Sequence, residues 1–202
     1  MYLHGIAGNQ VRLMETDTMG SRTREIARFA QTAAIAFHPL PDGAFCLIPP
    51  ERRSLSIVRR HGTSDVTWRA PDWISNIGSV SLSPDTRSLA VLAWDQGGDS
   101  IVVATVDMED GRFTRLGFLG GEWLGGIRWL EDGNIMFDFR ETQGSYALFT
   151  TRPGGATRRL GALPYTQEIS SVSRDGIHMA GFSSIIRNDV YMIRNFGKLM
   201  GR

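Results

Sequence analysis

The sequence predicts an all-β protein assembled from repeated four-stranded antiparallel sheets. A short turn-forming phrase that contains an aspartate occurs four times, and its aspartates are Asp42, Asp85, Asp132 and Asp175. They are 43, 47 and 43 residues apart, and a period of about 40–50 residues is typical of repeat proteins. Each phrase stands between two short apolar runs, and no stretch has a convincing helical period. These observations favour sheets over helices.

The second full repeat predicts four strands in order. Residues 78–83 alternate polar and apolar side chains, and Pro84-Asp85 ends this strand in a turn. Residues 89–94 form a nearly continuous apolar run, which predicts a strand covered on both faces. Residues 101–106 are rich in β-branched side chains, as is typical of strands. The last run, 112–116, is more polar and is therefore expected to be outermost.

The same pattern predicts the strands of the other repeats. Before the first full repeat, three strands are expected, and residues 22–30 are interpreted as an outermost strand rather than a short helix. The expected strands are 2–7, 11–16 and 23–29; 33–37, 44–48, 55–59 and 66–69; 126–130, 135–139, 146–150 and 157–160; and 169–173, 177–182 and 189–194.

Four-stranded antiparallel units at this period are typical of the blades of a β-propeller. We therefore predict one propeller domain, with three complete blades flanked by two partial ones. The expected segments are a three-stranded partial blade at 1–30, blades at 31–73, 74–122 and 123–166, and a final blade without its outer strand at 167–202. Because the two partial blades do not complement each other, we expect a C-terminal portion of a larger propeller. Further blades or another copy would then cover the exposed ends.

Aromatic side chains are expected to fill the space between blades, since most of them fall on inner or second strands. They are Phe37, Trp94, Trp129, Phe137, Phe139 and Phe182. Cys46 is the single cysteine and lies in an apolar run, so it is interpreted as a small buried hydrophobic residue. The residues from 120 to 126, with two glycine pairs around Glu122-Trp123-Leu124, are interpreted as a flexible connection between blades.

Composition argues against several classes of partner. The formal net charge is +1, so the chain has no long-range field that would attract nucleic acid or an acidic membrane surface. No run reaches the 18 or more apolar residues of a membrane-spanning helix, and residues 1–30 lack a signal-peptide pattern. These features leave the compartment open between cytoplasm and periplasm.

No catalytic or metal-binding motif emerges from the residues. The sequence has no Gly-x-Ser-x-Gly motif, and its four histidines are widely separated. The four repeated aspartates fall on different blades, so they are interpreted as turn formers rather than calcium ligands. We therefore expect a non-enzymatic chain with no cofactor and no metal.

The phrases Ser83-Pro84-Asp85 and Arg174-Asp175-Gly176 resemble the Ser-Pro-Asp-Gly repeats of bacterial TolB-like, WD40-like propellers. The second repeat departs from them, because Thr86 stands where glycine is usual. Residues 188–197 are similar to the closing segment of propellers attached to bacterial serine/threonine kinases and winged-helix regulators. Together the resemblance covers about 170 of the 202 residues. It implies a sensory or interaction propeller behind an effector domain, and it transfers no kinase residues.

We expect a scaffold that binds a protein or small ligand at the propeller end formed by loops between blades. Residues in predicted loops or at strand ends are the candidates for this surface, and they are Trp73, Asp95, Trp123, Arg140 and Glu141. Two alternatives stay open: the C-terminal region of a serine/threonine kinase whose kinase domain is absent here, and a TolB-like periplasmic envelope component. A propeller lyase or lactonase is the weakest alternative, because no cluster of polar residues around a central channel is evident.

Overall fold

A computed structural model gives the architecture, and all regular secondary structure in its described part is β-strand. The chain divides into two compact units, Met1–Ala70 and Pro71–Arg202, which are considered separately. The structure describes residues 2–7, 10–17, 19, 22–30, 36–41, 43–49, 51–58, 64–121, 123–141, 145–163, 167–173, 175–183 and 190–193.

The described residues form eighteen strands. In the first unit they are β1 (Tyr2–Ala7), β2 (Gln10–Thr16), β3 (Thr23–Ala30), β4 (Ala36–Pro39), β5 (Phe45–Ile48), β6 (Ser54–Val58) and β7 (Ser64–Arg69). In the second unit they are β8 (Ile74–Leu82), β9 (Ser88–Asp95), β10 (Ser100–Asp107), β11 (Phe113–Gly120), β12 (Trp123–Trp129), β13 (Ile135–Arg140), β14 (Tyr146–Thr151), β15 (Arg158–Ala162), β16 (Gln167–Val172), β17 (Met179–Ser183) and β18 (Val190–Ile193).

Every sheet is an antiparallel meander, in which each strand pairs with its neighbour in sequence. The first unit contains the sheets β1-β2-β3 and β4-β5-β6-β7, and the second contains β8 to β11, β12 to β15 and β16 to β18. The predicted all-β fold of four-stranded antiparallel units is therefore confirmed. The prediction of a strand rather than a helix within 22–30 is also confirmed, by β3.

One predicted loop is wrong. Residues 123–125 were expected to belong to a flexible connection, but Trp123 is the first residue of β12. The strand accommodates the glycines through a β-bulge, because its register with β13 shifts between Leu124 and Ile127. A bulge admits an extra residue without ending the pairing, so a glycine-rich segment stays within the sheet.

The core of the second unit lies between the first two of its sheets. β12 packs against β8 and β9, and β16 packs in turn against β12. Three stacked rings form the centre of the core, with centroids 5.6 Å apart for Phe137–Phe149 and 4.4 Å apart for Phe139–Phe149. Trp129, Phe137 and Phe139 are buried as predicted, and Trp94 packs against them while partly buried. The side chains of Phe37 and Phe182 lie outside the described residues.

The predicted covering of β9 on both faces is also confirmed. Leu89 to Ala93 are all fully buried, although neighbouring residues point to opposite faces of a strand. Cys46 is buried as expected, and this burial raises the pKa of its thiol to about 12.

The repeated turn has one backbone conformation in all four repeats. Gly43, Thr86, Gly133 and Gly176 have φ values of 78°, 63°, 83° and 69°. The N–H of each donates to the carbonyl three residues earlier, at 3.0–3.1 Å. Glycine adopts this left-handed conformation without steric cost, whereas Thr86 adopts it at the one of these four positions that does not hold glycine.

A serine hydroxyl and an aspartate stabilise two of the four turns. Ser83 Oγ donates to Asp85 at 2.6 Å and accepts from the N–H of Ser88 at 2.9 Å. The turn that begins at Ser173 has both bonds at the same positions. The serine hydroxyl is the first cause of a lowered pKa at Asp85, and the N–H of Arg87 adds to it. These aspartates act within their own turns, as the sequence predicts.

Candidate functional site

The candidate residues of the second unit lie at one end of two neighbouring sheets. Ile74 pairs with Asp95, which places Trp73 and Asp95 at the same end of the strands in the sheet β8 to β11. Trp123 pairs with Arg140, which places Trp123, Arg140 and Glu141 at the corresponding end of the strands in the sheet β12 to β15. The repeated turns lie at the opposite end of the strands, because each turn connects the first two strands of a sheet there.

Gly121 lies where these ends of the two sheets meet. A Cβ atom on Gly121 would lie 2.5 Å from the ring of Phe139 and 2.8 Å from the side chain of Ile101. Ile101 is near the start of β10 and Phe139 is near the end of β13, so the corresponding ends of the two sheets meet at this glycine. We name this side of the two sheets, with its strand ends and loops, the loop end. Its described residues are 71–73, 95–100, 120–121, 123, 140–141 and 145.

Asp95 shapes its own loop at this end. Its Oδ1 atom accepts hydrogen bonds from the N–H groups of Asp99 at 3.1 Å and Ser100 at 3.2 Å. Its carbonyl accepts from the N–H of Gly98, whose φ is 75°. The carboxylate therefore fixes the loop, and the exposed residues Gln96 to Asp99 form its outer surface.

Glu141 is engaged in a two-pronged ion pair. Arg159 donates from Nε to Oε1 and from Nη2 to Oε2, both at 3.0 Å. The pair raises the pKa of Arg159, chiefly through the hydrogen bond from its side chain to Glu141. The N–H of Glu141 also donates to the carbonyl of Ser145, at 2.9 Å. Glu141 thus anchors the connection between β13 and β14, beside the exposed Arg140.

Trp73 belongs to a different group of side chains from Asp95. The guanidinium carbon of Arg115 lies 5.8 Å from the ring centroid of Trp73 and 4.4 Å from that of Phe118. Arg115 and Phe118 are on β11, the outermost strand of the sheet. Trp123 is placed in β12, and its side chain lies outside the described residues.

A buried carboxylate that sequence reasoning did not select lies under the loop end. Asp138 is in the middle of β13 and is 1% exposed, and its Oδ1 accepts from the N–H of Gly126 at 2.8 Å. A Cβ on Gly125 would lie 2.1 Å from Asp138 Oδ2, so only glycine fits there. Asp138 therefore stabilises the bulge that leads back to Trp123. Its signal in the sequence is an acid inside the apolar run Ile-Met-Phe-Asp-Phe.

The described ranges show neither a metal-binding cluster nor a membrane-spanning helix. Within them, no three histidine, cysteine, aspartate or glutamate side chains come close enough together to hold a metal ion. None of these residues forms a helix long and apolar enough to cross a membrane.

Comparison with known proteins identifies the fold. No protein-family model matches the chain, and no curated protein matches its sequence. Among solved structures, it is similar to the nidogen/laminin complex, with a TM-score of 0.64 and 12% identity over 96% of this chain and 79% of that one. It is also similar to hydrazine synthase of Kuenenia stuttgartiensis, with a TM-score of 0.59 and 15% identity over 96% of this chain and 72% of that one.

A third similar structure is a streptogramin B lyase, with a TM-score of 0.57 and 13% identity over 92% of this chain. The matched part spans 62% of the lyase chain. These are β-propeller structures, and the likeness shows that the present chain has a β-propeller fold. At such identities it is a likeness of fold alone.

Proposed function

We propose that this chain is a non-catalytic β-propeller scaffold that binds a protein or a small ligand at the loop end. The observation that supports the proposal is the joint at Gly121, where the corresponding ends of two successive sheets meet, so that the loops at those ends are neighbours. Propellers and other rigid scaffolds commonly bind partners through loops that their sheets hold in place. Asp95 and Glu141 stabilise two of these loops, which leaves Gln96 to Asp99 and Arg140 as their exposed parts.

The proposal extends to the setting of the chain. We infer a TolB-like, WD40-like propeller that forms the sensory or regulatory C-terminal part of a larger bacterial protein, with the blades delimited as in the sequence analysis. The Ser-Pro-Asp turns and the closing segment support this setting, and a membrane-tethered kinase or a periplasmic envelope component would each provide it. The lyase among the similar structures shares 13% of its residues with this chain, which carries no catalytic residue across.

Photo-crosslinking from the two ends of one sheet tests the proposal. A photoreactive amino acid replaces Gln96 at the loop end in one variant and Glu109 at the opposite end in the other. Both positions are exposed tips of loops in the same sheet, so neither replacement disturbs the core. The variants are expressed in the native host within the full reading frame, and crosslinked products are identified by mass spectrometry.

We expect one specific crosslinked partner from the Gln96 position and none from the Glu109 position. The crosslink should weaken when Arg140→Ala is added, because Arg140 is exposed beside the same loops. Equal crosslinking from both positions, or crosslinking from Glu109 alone, would show that the loop end is not the binding surface.

A further inference from the structure

An arginine on the outermost strand of the sheet β8 to β11 contacts two aromatic rings. The guanidinium carbon of Arg115 is 4.4 Å from the ring centroid of Phe118 and 5.8 Å from that of Trp73. Phe118 is 45% exposed, and it is the one exposed phenylalanine among those whose burial the structure describes. We name these three residues the Arg115 cluster. Aromatic rings attract a guanidinium and hold its plane in place while its N–H donors stay accessible.

Arg115 differs from Arg159, which lies on β15, the outermost strand of the next sheet. Arg159 donates two hydrogen bonds at 3.0 Å to the carboxylate of Glu141. Arg115 has contacts with rings, but no carboxylate within the described part of the chain pairs with it. Arginine is well suited to bind a carboxylate in this two-pronged way. The Arg115 cluster is therefore a prepared site for a carboxylate that another molecule would supply.

The backbone beside Arg115 offers a second means of recognition. β11 is the last strand of its sheet, so one of its edges pairs with no strand among the described residues. Gly117 to Gly120 pair with β10 in continuous register, after a bulge next to Arg115. An edge strand of this kind can accept an added strand through alternating N–H and C=O groups. Arg115 is the sole charged residue of β11, so an acidic partner meets no repulsion from this strand.

We propose that β11 and the Arg115 cluster bind an extended acidic peptide segment of a partner protein. The peptide adds an antiparallel or parallel strand beside Gly117 to Gly120, and one of its carboxylates accepts hydrogen bonds from Arg115. An apolar side chain of the peptide packs on the exposed ring of Phe118. The surface runs along the outermost strand and shares only Trp73 and Gly120 with the loop end. The inference goes beyond the proposed function and does not depend on it, because Arg115, Phe118 and the edge of β11 lie outside the loops.

The chemistry of the surface favours a peptide over a nucleic acid. Phosphate backbones are bound by several cations at once, whereas β11 contains one and the whole chain has a net charge of +1. A strand edge matches the spacing of peptide hydrogen-bonding groups, about 3.3 Å per residue. One arginine with one strand edge thus suits a peptide that alternates acidic and apolar side chains.

The test uses fluorescein-labelled ten-residue peptides in which valine alternates with glutamate, glutamine or lysine. Binding to the whole protein is measured by fluorescence anisotropy. We expect the glutamate peptide to bind at least about tenfold more tightly than the glutamine peptide, since a charge-assisted hydrogen bond supplies that difference. Arg115→Ala should abolish this preference, and Phe118→Ala should weaken binding of both peptides. Arg158→Ala is the matched control, because Arg158 is an exposed arginine on the outermost strand of the next sheet.

Further measurements decide between a direct and an indirect effect. Circular dichroism should show that the three variants keep the thermal midpoint of the parent, since all three side chains are at the surface. Arg115→Lys keeps the charge but loses the planar fork, and we expect it to restore a small part of the preference. Amide chemical shifts of Gly117 to Gly120 should change on addition of the glutamate peptide.

Several results would overturn the inference. They are equal binding of the glutamate and glutamine peptides, an unchanged preference in Arg115→Ala, an equal loss in Arg158→Ala, or no binding of any peptide. Tighter binding of single-stranded DNA than of the glutamate peptide, lost in Arg115→Ala, would assign the cluster to nucleic acid instead. Crosslinking from Gln96 depends on none of these results, so each proposal can fail alone.

Discussion

The hydroxyl oxygen of Ser81 accepts a hydrogen bond from the backbone N–H of Trp129 at 2.9 Å. The two residues are 48 positions apart, lie on the innermost strands β8 and β12, and are 1% and 9% exposed. A buried N–H requires a partner, and in an antiparallel sheet the unpaired edge of β12 has none of its own. Ser81 therefore satisfies the backbone of the next sheet, and this bond links two successive repeats.

Replacement of Ser81 by alanine should destabilise the protein by about 1–3 kcal/mol, because it leaves the buried N–H of Trp129 without an acceptor. Urea denaturation followed by circular dichroism measures the change. Ser79→Ala on the same strand is the control, since Ser79 is partly exposed, and we expect an effect within about 0.5 kcal/mol. Equal effects of the two substitutions would mean that the hydrogen bond contributes nothing of its own.

Replacement of Thr86 by glycine should stabilise the protein. Thr86 has a φ of 63° at the position where the other repeats have glycine, and this conformation costs an L-residue about 1–2 kcal/mol. Glycine loses more entropy on folding, so the net gain is about 0.5–1 kcal/mol. The shift in the midpoint of urea denaturation measures it.

Gly133→Ala is the converse experiment at the equivalent position. Gly133 has a φ of 83°, and an added Cβ there meets no atom within 4 Å. The expected loss of about 1 kcal/mol is therefore conformational strain alone. If Gly133→Ala proved neutral while Thr86→Gly stabilised, the gain at position 86 would have another origin.

Gly121→Ala should disturb the joint between the two sheets at the loop end. An added Cβ lies within 2.9 Å of two atoms of the Phe139 ring and 2.8 Å from Ile101, so neighbouring core groups must move. Overpacking of this kind costs about 1–3 kcal/mol. Gly120→Ala is the neighbouring control, because its Cβ meets nothing within 4 Å and should cost far less. Thermal denaturation of both variants checks the order.

Cys46 should resist thiol reagents in the folded protein. Its burial raises the pKa of the thiol from an ordinary value of 9.0 to about 12, and the thiolate is the reactive form. We expect labelling with a chromogenic disulfide at pH 8 to be slow, and to become fast above the urea transition. Because the chain has one cysteine, the signal reports this position alone. Fast labelling of the folded protein would mean that the β5 region opens readily.

Acid should weaken the serine-stabilised turns. The pKa values of Asp85 and Asp175 lie below the ordinary 3.8, first because Ser83 and Ser173 donate hydrogen bonds to them. The contribution to stability is thus present at pH values above the ordinary pKa that these two aspartates have in the unfolded chain. It disappears as the pH falls through the lowered pKa values of the folded state, since the unfolded chain binds more protons in that window.

Urea denaturation at pH values from 6 to 3 measures this loss. The double variant Ser83→Ala, Ser173→Ala lacks both donors, so its stability should fall less steeply between about pH 4 and 3 than that of the parent. Parallel pH profiles for the two proteins would mean that other carboxylates account for acid sensitivity.

The sequence was sufficient for the period, the strands and the positions of the repeated turns. These features depend on local signals, because alternation of apolar residues and turn chemistry are visible within a few positions. Asp85 and Asp175 were correctly interpreted as turn formers, since each accepts hydrogen bonds two residues away.

Features that depend on tertiary contacts were missed. The glycines before Ile127 indicated a loop, but Asp138 accepts a hydrogen bond from Gly126 and keeps the segment within β12. That partner is twelve residues away and became apparent only in the folded sheet. Trp73 was selected for its place in a loop, whereas its ring faces Arg115, on the far strand of the same sheet. The clustering of loops at Gly121 likewise requires two sheets to be packed together.

The link between Ser81 and Trp129 has a bearing on how such a chain grows by duplication. Each sheet is formed by consecutive strands, so a copied segment of one period carries a whole sheet with it. The donor of the link lies on one repeat and its acceptor on the repeat before. An inserted copy that retains both groups therefore meets a complementary partner on either side, and inheritance of a single segment preserves the continuity of the array.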